Sequence, residues 1–171
     1  MNCVKLEKVI LPDSLISIAD GYYSPFPYIV VFRFPLSTFG AFSGCTNLTE
    51  INLPDSLNSI DEGTFSGCTS LTKINLPETL TKIDGSAFNG CTGLTEINLP
   101  EGLTEIGESA FRGCTSLTEI ILPKYLKAID SKTFRDCKSL KKISYYKKTE
   151  DFLKNYFGDS WDDLEKNIID D

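Results

Sequence analysis

Apolar residues return along this chain in a fixed rhythm. In the stretch CTNLTEINLPDSLNSIDEGTFSG, from Cys45 to Gly67, they stand at Leu48, Ile51, Leu53, Leu57 and Ile60, and Thr64-Phe65 follow. The same order returns from Cys68, Cys91 and Cys114, and opens once more as CKSLKKISYY at Cys137, so cysteine recurs every 23 residues. A period of that length marks a solenoid, in which no unit can bury its apolar face alone and neighbours must stack.

Within the unit, I-x-L (Ile51 and Leu53, Ile74 and Leu76, Ile97 and Leu99) alternates as a short strand does, placing two apolar side chains on one face. The following proline donates no ladder hydrogen bond and ends the strand. A second apolar pair comes next, such as Leu57 with Ile60 or Leu80 with Ile83, then a small-aromatic pair, Thr64-Phe65 or Ala87-Phe88. Roughly six inward residues per coil, each worth on the order of 2 kcal/mol when buried, must offset the entropy of ordering the unit.

Cys3 stands 42 residues before Cys45, more than one period. Projecting the repeat forward by 23 places Leu6, Val9, Leu11 and Pro12 on Ile29, Phe32, Phe34 and Pro35, so that IVVFRFP takes the strand position. Residues 26–44 are therefore read as a degenerate, aromatic-rich second repeat, four residues short, rather than a free aromatic loop. This predicts a solenoid over residues 1–146 with about seven short strands in one parallel sheet.

After Tyr145 the pattern stops. Thr149-Glu150-Asp151 predicts a helix start, acidic in its first turn, with Phe152, Tyr156 and Phe157 at helical spacing and Gly158 as the stop. Ser160 and Asp163 predict a second cap, leading a short helix with Trp161, Leu164 and Ile168 on one face. Residues 147–171 are thus expected to form a helical C-terminal cap over the last coil, a role preferred to that of a partner-binding amphipathic helix.

The spacing C-x-x-L-x-x-I-x-L-P-x-x-L-x-x-I, followed by Ala/Thr-Phe, resembles the BspA-like leucine-rich repeats from residue 3 to about 146. The resemblance implies a right-handed solenoid built on one parallel sheet and used for protein binding. Many members of that family are bacterial or protozoan surface proteins and adhesins, which implies a cell-surface or secreted location. MNCVKLEKVILPDS lacks the apolar core and cleavage site of a signal peptide, so a cytosolic protein, or a mature or truncated piece of an exported one, is the expectation from the residues themselves.

Composition narrows the chemistry. The chain has no histidine, which removes the commonest general base, the Ser-His and Cys-His pairs, and the commonest metal ligand. An enzyme is not expected, nor a cofactor or metal. The adjacent carboxylates of Glu96 and Glu119 are the one arrangement suited to glycoside hydrolysis, and they sit on an open sheet. Net charge is −7, which disfavours nucleic acid and anionic membranes, and no apolar run approaches the ~18 residues of a membrane span. Nine of the 17 basic residues lie between Lys124 and Lys148, followed by eight acidic residues from Glu150 onward; mutual compensation between the last coil and its cap is expected. An in-register ladder points its cysteines the same way, disfavouring disulfides between neighbours, and no zinc spacing exists, so small, buried, reduced thiols are expected.

If Ile51 and Leu53 point inward, two columns point outward. One runs Lys8, Val31, Glu50, Lys73, Glu96, Glu119, Lys142, and the other Ile10, Arg33, Asn52, Asn75, Asn98, Ile121, Ser144. The charges read as cross-strand pairs and the asparagines as a side-chain amide ladder. Seven strands at ~4.8 Å make a face about 30 Å wide, enough for one protein or peptide contact. Candidate contact residues are Ile10, Asn52, Asn75, Asn98 and Ile121, with Val31, Arg33, Tyr22, Tyr23 and Tyr28 from the aromatic segment, which are either exposed hot-spot residues or large core residues filling a short coil. Self-association through an open N-terminal edge strand is the alternative to a foreign ligand.

Overall fold

The computed structural model describes residues 7–11, 17–18, 40–157 and 165–169. Each regular unit is one turn of a parallel β-solenoid and contributes two short strands. The first strands are β1 (Lys8–Ile10), β3 (Glu50–Asn52), β5 (Lys73–Ile74), β7 (Glu96–Ile97), β9 (Glu119–Ile121) and β11 (Lys142–Tyr146). The second are β2 (Ser17–Ile18), β4 (Ser59–Ile60), β6 (Lys82–Ile83), β8 (Glu105–Ile106) and β10 (Ala128–Ile129). A 3-10 turn (Lys147–Thr149), helix α1 (Glu150–Phe157) and strand β12 (Glu165–Ile169) follow.

The second strands make one continuous parallel sheet in the order β10-β8-β6-β4-β2. The first strands pair as β1-β3, β5-β7 and β9-β11-β12, with β3 lying against β5 and β7 against β9. The single sheet expected from the sequence is therefore two ladders. The second apolar pair, L-x-x-I, alternates around its isoleucine much as I-x-L does, and the isoleucines register coil upon coil: Ile18 with Ile60, Ile60 with Ile83, and Ile106 with Ile129.

Between the ladders lies a core of stacked columns. Leu48, Leu71, Leu94 and Leu117 form one column, Ile51, Ile74, Ile97, Ile120 and Ile143 another, and Leu57, Leu80, Leu103 and Leu126 a third, all buried. Phe42, Phe65, Phe88, Phe111 and Phe134 stack face to face at centroid separations of 5.3 to 5.6 Å. That spacing exceeds the ~4.8 Å strand repeat, as offset stacking requires.

Polar groups staple one coil to the next. Threonine hydroxyls donate to carbonyls of the preceding coil: Thr69 to Thr46, Thr81 to Asn58, Thr95 to Thr72, and Thr104 to Thr81, all at 3.1–3.3 Å. Each free cysteine donates its thiol to the phenylalanine carbonyl of the coil before: Cys68 to Phe42, Cys91 to Phe65, Cys114 to Phe88 and Cys137 to Phe111. Among the described residues, no buried side-chain nitrogen or oxygen lacks a partner.

The thiols of Cys68, Cys91, Cys114 and Cys137 are free, as expected, but Cys45 is disulfide-bonded. Parallel Cβ directions disfavour a bridge within the regular ladder, whereas Cys45 opens that ladder directly after the irregular first unit.

No strand lies between β1 and β3, where the sequence predicts a second coil; residues 19–39, in which most of that coil falls, lie outside the described residues. β1 pairs directly with β3, matching Lys8 to Glu50, Val9 to Ile51 and Ile10 to Asn52, while Ser17 and Ile18 match Ser59 and Ile60. Gly40–Gly44 then rejoin the pattern: Phe42 N–H donates to the Thr64 carbonyl at 2.8 Å, and Gly44 N–H to that of Ser66 at 2.7 Å. One turn is thus completed on either side of a 19-residue excess between Ile18 and Gly40. The place beside β3 that the projected repeat gave to IVVFRFP is taken by β1. In the two outward columns Lys8 and Ile10 therefore stand directly beside Glu50 and Asn52.

The tail also differs in part. Helix α1 starts at Glu150 with Glu150 and Asp151 in its first turn, as the sequence predicts, and buries Leu153. The second helix expected over Trp161–Ile168 is not formed by Glu165–Ile169, which extend as β12 beside β11 in register 23 residues on, Lys142 facing Glu165 and Tyr145 facing Ile168. Pairing with an exposed ladder edge satisfies five residues of backbone at once, and this outweighs the weak helical spacing.

Candidate protein-interaction face

The outer face of the first ladder carries the residues singled out from sequence. Its charged column alternates and pairs off across strands. Lys8 Nζ lies 2.7 Å from Glu50 Oε1, Lys73 bonds Glu96, and Lys142 Nζ lies 3.6 Å from Glu119 Oε2. Glu96 and Glu119 are therefore each held by a lysine, which gives them no arrangement as an acid–base couple. All six side chains are substantially exposed, so each pair is worth at most about 1 kcal/mol and sets register more than stability.

The second column reads Ile10, Asn52, Asn75, Asn98, Ile121, Ser144 and Asn167 by strand register and repeat spacing. Ile10 is 73% exposed and Ile121 50% exposed, so two apolar side chains bracket three exposed asparagines. The amide ladder expected at Asn52, Asn75 and Asn98 is not formed: among the described residues no hydrogen bond joins them. Exposed amides bond water at little net cost, so a ladder has nothing to gain there. The one amide contact in the column is at its far end, where Asn167 Nδ2 donates to Ser144 Oγ at 3.2 Å.

Beside Ile121 lies a cluster that sequence reasoning passed over. Tyr146 Oη donates to Glu101 Oε1 at 3.0 Å, Lys124 N–H donates to Glu101 Oε2 at 3.2 Å, and Lys124 Nζ stands 5.5 Å from the Tyr146 ring centroid. Tyr125 next to it is 56% exposed. The signal was present in the repeat: Lys124-Tyr125 replace the acidic and small residues Asp55-Ser56, Glu78-Thr79 and Glu101-Gly102.

Compensation of the basic block differs from expectation. Among the described residues, partners of the block are found in the preceding coil: Lys132 bonds Glu108 at 2.8 Å, Lys142 faces Glu119, and Lys124 meets Glu101. The hydrogen bond between Lys132 and Glu108 raises the lysine pKa and lowers that of the glutamate. In-register stacking brings residues one repeat apart within reach.

Tyr22, Tyr23, Tyr28, Val31 and Arg33 lie outside the described residues. Among the described residues, no group of three acidic or cysteine side chains could hold a metal, and no helix is long and apolar enough to cross a membrane.

Residues 37–162 match the BspA type leucine rich repeat region, in six copies. Among solved structures, a leucine rich repeat protein of T. pallidum is 32% identical at a TM-score of 0.68, covering 82% of this chain and 59% of its own. A leucine rich cell surface protein of Faecalibacterium prausnitzii A2-165 superposes at a TM-score of 0.59 over 98% of this chain and 60% of its own; at 20% identity it shows the fold alone. The chain thus spans about three fifths of the length of these relatives. No curated protein matches it.

Proposed function

Because this chain belongs to the BspA-type leucine-rich repeat family, we propose that it is a non-enzymatic module that binds a protein or peptide through the outer face of the first ladder. The observation that carries this reading is the second outward column. Asn52, Asn75 and Asn98 present exposed amides one strand apart, free of one another, between the exposed side chains of Ile10 and Ile121. Such a strip offers donors and acceptors flanked by apolar anchors, the composition of a small binding patch. The paired charges beside it leave no single-sign field, which favours a protein surface over a polyanion. To the same reading we assign a supporting contact from Tyr22, Tyr23, Tyr28, Val31 and Arg33, whose composition is that of interface hot spots. Adhesion, and residence at a cell surface, are the biological settings the reading favours.

The test is comparative. The wild-type chain and an Asn52→Ala/Asn75→Ala/Asn98→Ala variant are immobilised and challenged with a panel of purified surface and matrix proteins and peptides. A ligand held by the wild type and released by the variant, with unchanged thermal unfolding, is the expected result; equal retention by both places the contact elsewhere.

A second reading, self-association, is favoured by two exposed apolar residues on edge strands, Ile10 on β1 and Ile168 on β12, the latter 47% exposed. It predicts a concentration-dependent mass in light scattering that Ile10→Glu abolishes. A strictly monomeric chain at high concentration removes it.

A further inference from the structure

We propose that the ridge of turns following the first strands docks a second copy of this chain, the two ridges meeting antiparallel about a twofold axis. Each turn begins at the strand-ending proline and is closed by a backbone hydrogen bond. Leu80 N–H donates to the Pro77 carbonyl at 3.1 Å, Leu103 N–H to that of Pro100 at 3.0 Å, and Leu126 N–H to that of Pro123 at 3.2 Å. The residue after the proline stands at the tip. It is Asp55, Glu78 and Glu101 in three consecutive turns and Lys124 in the next, and Lys147 holds the place one repeat on. The tips stack in register: Thr79 Oγ1 donates to the Asp55 carbonyl at 2.6 Å, and Lys124 N–H to Glu101 Oε2 at 3.2 Å. The ridge is therefore acidic along one half and basic along the other, with the reversal between Glu101 and Lys124.

That order of charges is self-complementary. An axis through the point of reversal sets Glu101 against the second copy's Lys124 and Glu78 against its Lys147, and symmetry repeats both pairs. The same axis sets Gly102 against the second copy's Tyr125. The ring, 56% exposed, meets the other ridge where it carries no side chain. Glu78 and Lys147 are exposed and make no ion pair among the described residues. Glu101 accepts one hydrogen bond at each oxygen, from Tyr146 Oη and Lys124 N–H, which orients the carboxylate and leaves each oxygen a further acceptor site.

A partner of uniform charge would meet repulsion along one half of this ridge. A copy of the chain turned end for end meets the opposite charge at every tip from Glu78 to Lys147, about 14 Å of ridge at the strand spacing. The surface is separate from the edge strands that carry Ile10 and Ile168. Exposed ion pairs contribute little singly and are screened by salt, so the dimer is weak and salt-sensitive.

Sedimentation equilibrium of the full chain tests this at about 0.01 M and about 1 M ionic strength, where the screening length falls from ~30 Å to ~3 Å. At low salt the mass should rise with concentration toward twice that of one chain, and at high salt it should stay at one. Glu101→Lys and Lys124→Glu should each be monomeric, because each sets like charges face to face twice. An equimolar mixture of the two should regain the dimer, as should Glu101→Lys/Lys124→Glu in a single chain. Ile10→Glu should leave the dimer unchanged, which separates it from association through the edge strands. The proposal is overturned by a monomer at low salt, by a dimer that survives 1 M salt or either reversal, by its loss in Ile10→Glu, or by a mixture of the reversed chains that stays monomeric.

Discussion

Lys8 Nζ lies 2.7 Å from Glu50 Oε1, and the backbones beneath them pair in parallel although 42 residues separate the two. The regular coil-to-coil separation is 23, as between Thr81 and Asn58. Nineteen residues are therefore surplus to the turn, between Ile18 and Gly40. Deleting residues 21–39 joins Asp20 to Gly40 and restores the spacing of Glu62 to Gly63 in the next coil. The shortened chain should fold with the same strand register, read as retained amide protection in β3 and β5 and a cooperative urea transition. Loss of that protection would show that residues 26–44 supply a coil after all.

The corner after the phenylalanine imposes a different requirement. Gly44, Gly67, Gly90 and Gly113 all have φ between +71° and +75°, and Asp136 takes the same place at +64°. A Cβ on Gly67 would meet only Gly44 backbone atoms at 3.7 Å, ordinary van der Waals contact. Any cost of Gly67→Ala is thus conformational, about 1–2 kcal/mol for a left-handed residue with a side chain. Chemical denaturation of Gly67→Ala should show that loss with an unchanged m value. At the last corner Asp136→Gly should be close to neutral, since relief of strain is offset by loss of the exposed Arg112 pair, at 3.1 Å.

Ring stacking sets a gradient along the core. Phe88 has neighbours at 5.3 Å on both faces, Phe65 and Phe111, and is fully buried. Phe134 packs against Phe111 at 5.6 Å and is 8% exposed. Phe88→Ala should cost about 3–5 kcal/mol, because coils locked on both sides cannot collapse into the space. Phe134→Ala should cost less, because a ring already partly reached by water loses less burial. Urea midpoints of the two variants compared with wild type decide this, and equal losses would contradict the gradient.

The regular part of the fold was legible from Cys45 to Cys137 because every structural role recurs at the same offset: Ile for the strand, Phe for the stack, Gly for the corner. Where the chain departs from the period, side-chain pattern misled in both directions. IVVFRFP carries the apolar alternation of a strand, yet the place beside β3 that this pattern gave it is taken by β1, whereas Lys166, Asn167 and Ile168 keep the 23-residue register with Ile143, Ser144 and Tyr145 after the apolar pattern has faded. Register is a property of backbone pairing, which side-chain identity reports only where the face is buried. The outward column was legible for the same reason as the core: Ile10 and Ile121 had to be exposed once Val9 and Ile120 faced inward. The absence of an amide ladder at Asn52, Asn75 and Asn98 was not legible, since spacing permits such bonds without requiring them. Tyr125 and Tyr146 lay in plain view as breaks in the repeat.

Buried thiols make the solenoid sensitive to alkali. Burial pushes the Cys68 thiol up from its ordinary 9.0 to about 12, partly opposed by a hydrogen bond to the Cys45 backbone, and burial raises Cys91 as well. In the unfolded chain these thiols ionise near their ordinary value, so above it the unfolded state has released protons that the folded state still holds. The folded state then binds more protons than the unfolded one, and stability falls as pH rises. The contribution is fully present below about pH 9 and is lost through about pH 12 for Cys68, at up to about 1.4 kcal/mol per pH unit for each thiol. Urea midpoints should be flat from about pH 7 to 8.5 and fall above about pH 9. Cys68→Ala lowers the whole curve by removing packed sulfur, yet its alkaline slope should be shallower than that of wild type by one thiol's share. Lysines such as Lys132, raised by Glu108, are present in both proteins, so the difference in slope isolates Cys68. Parallel curves would mean that this thiol ionises in the folded chain as readily as in the unfolded one.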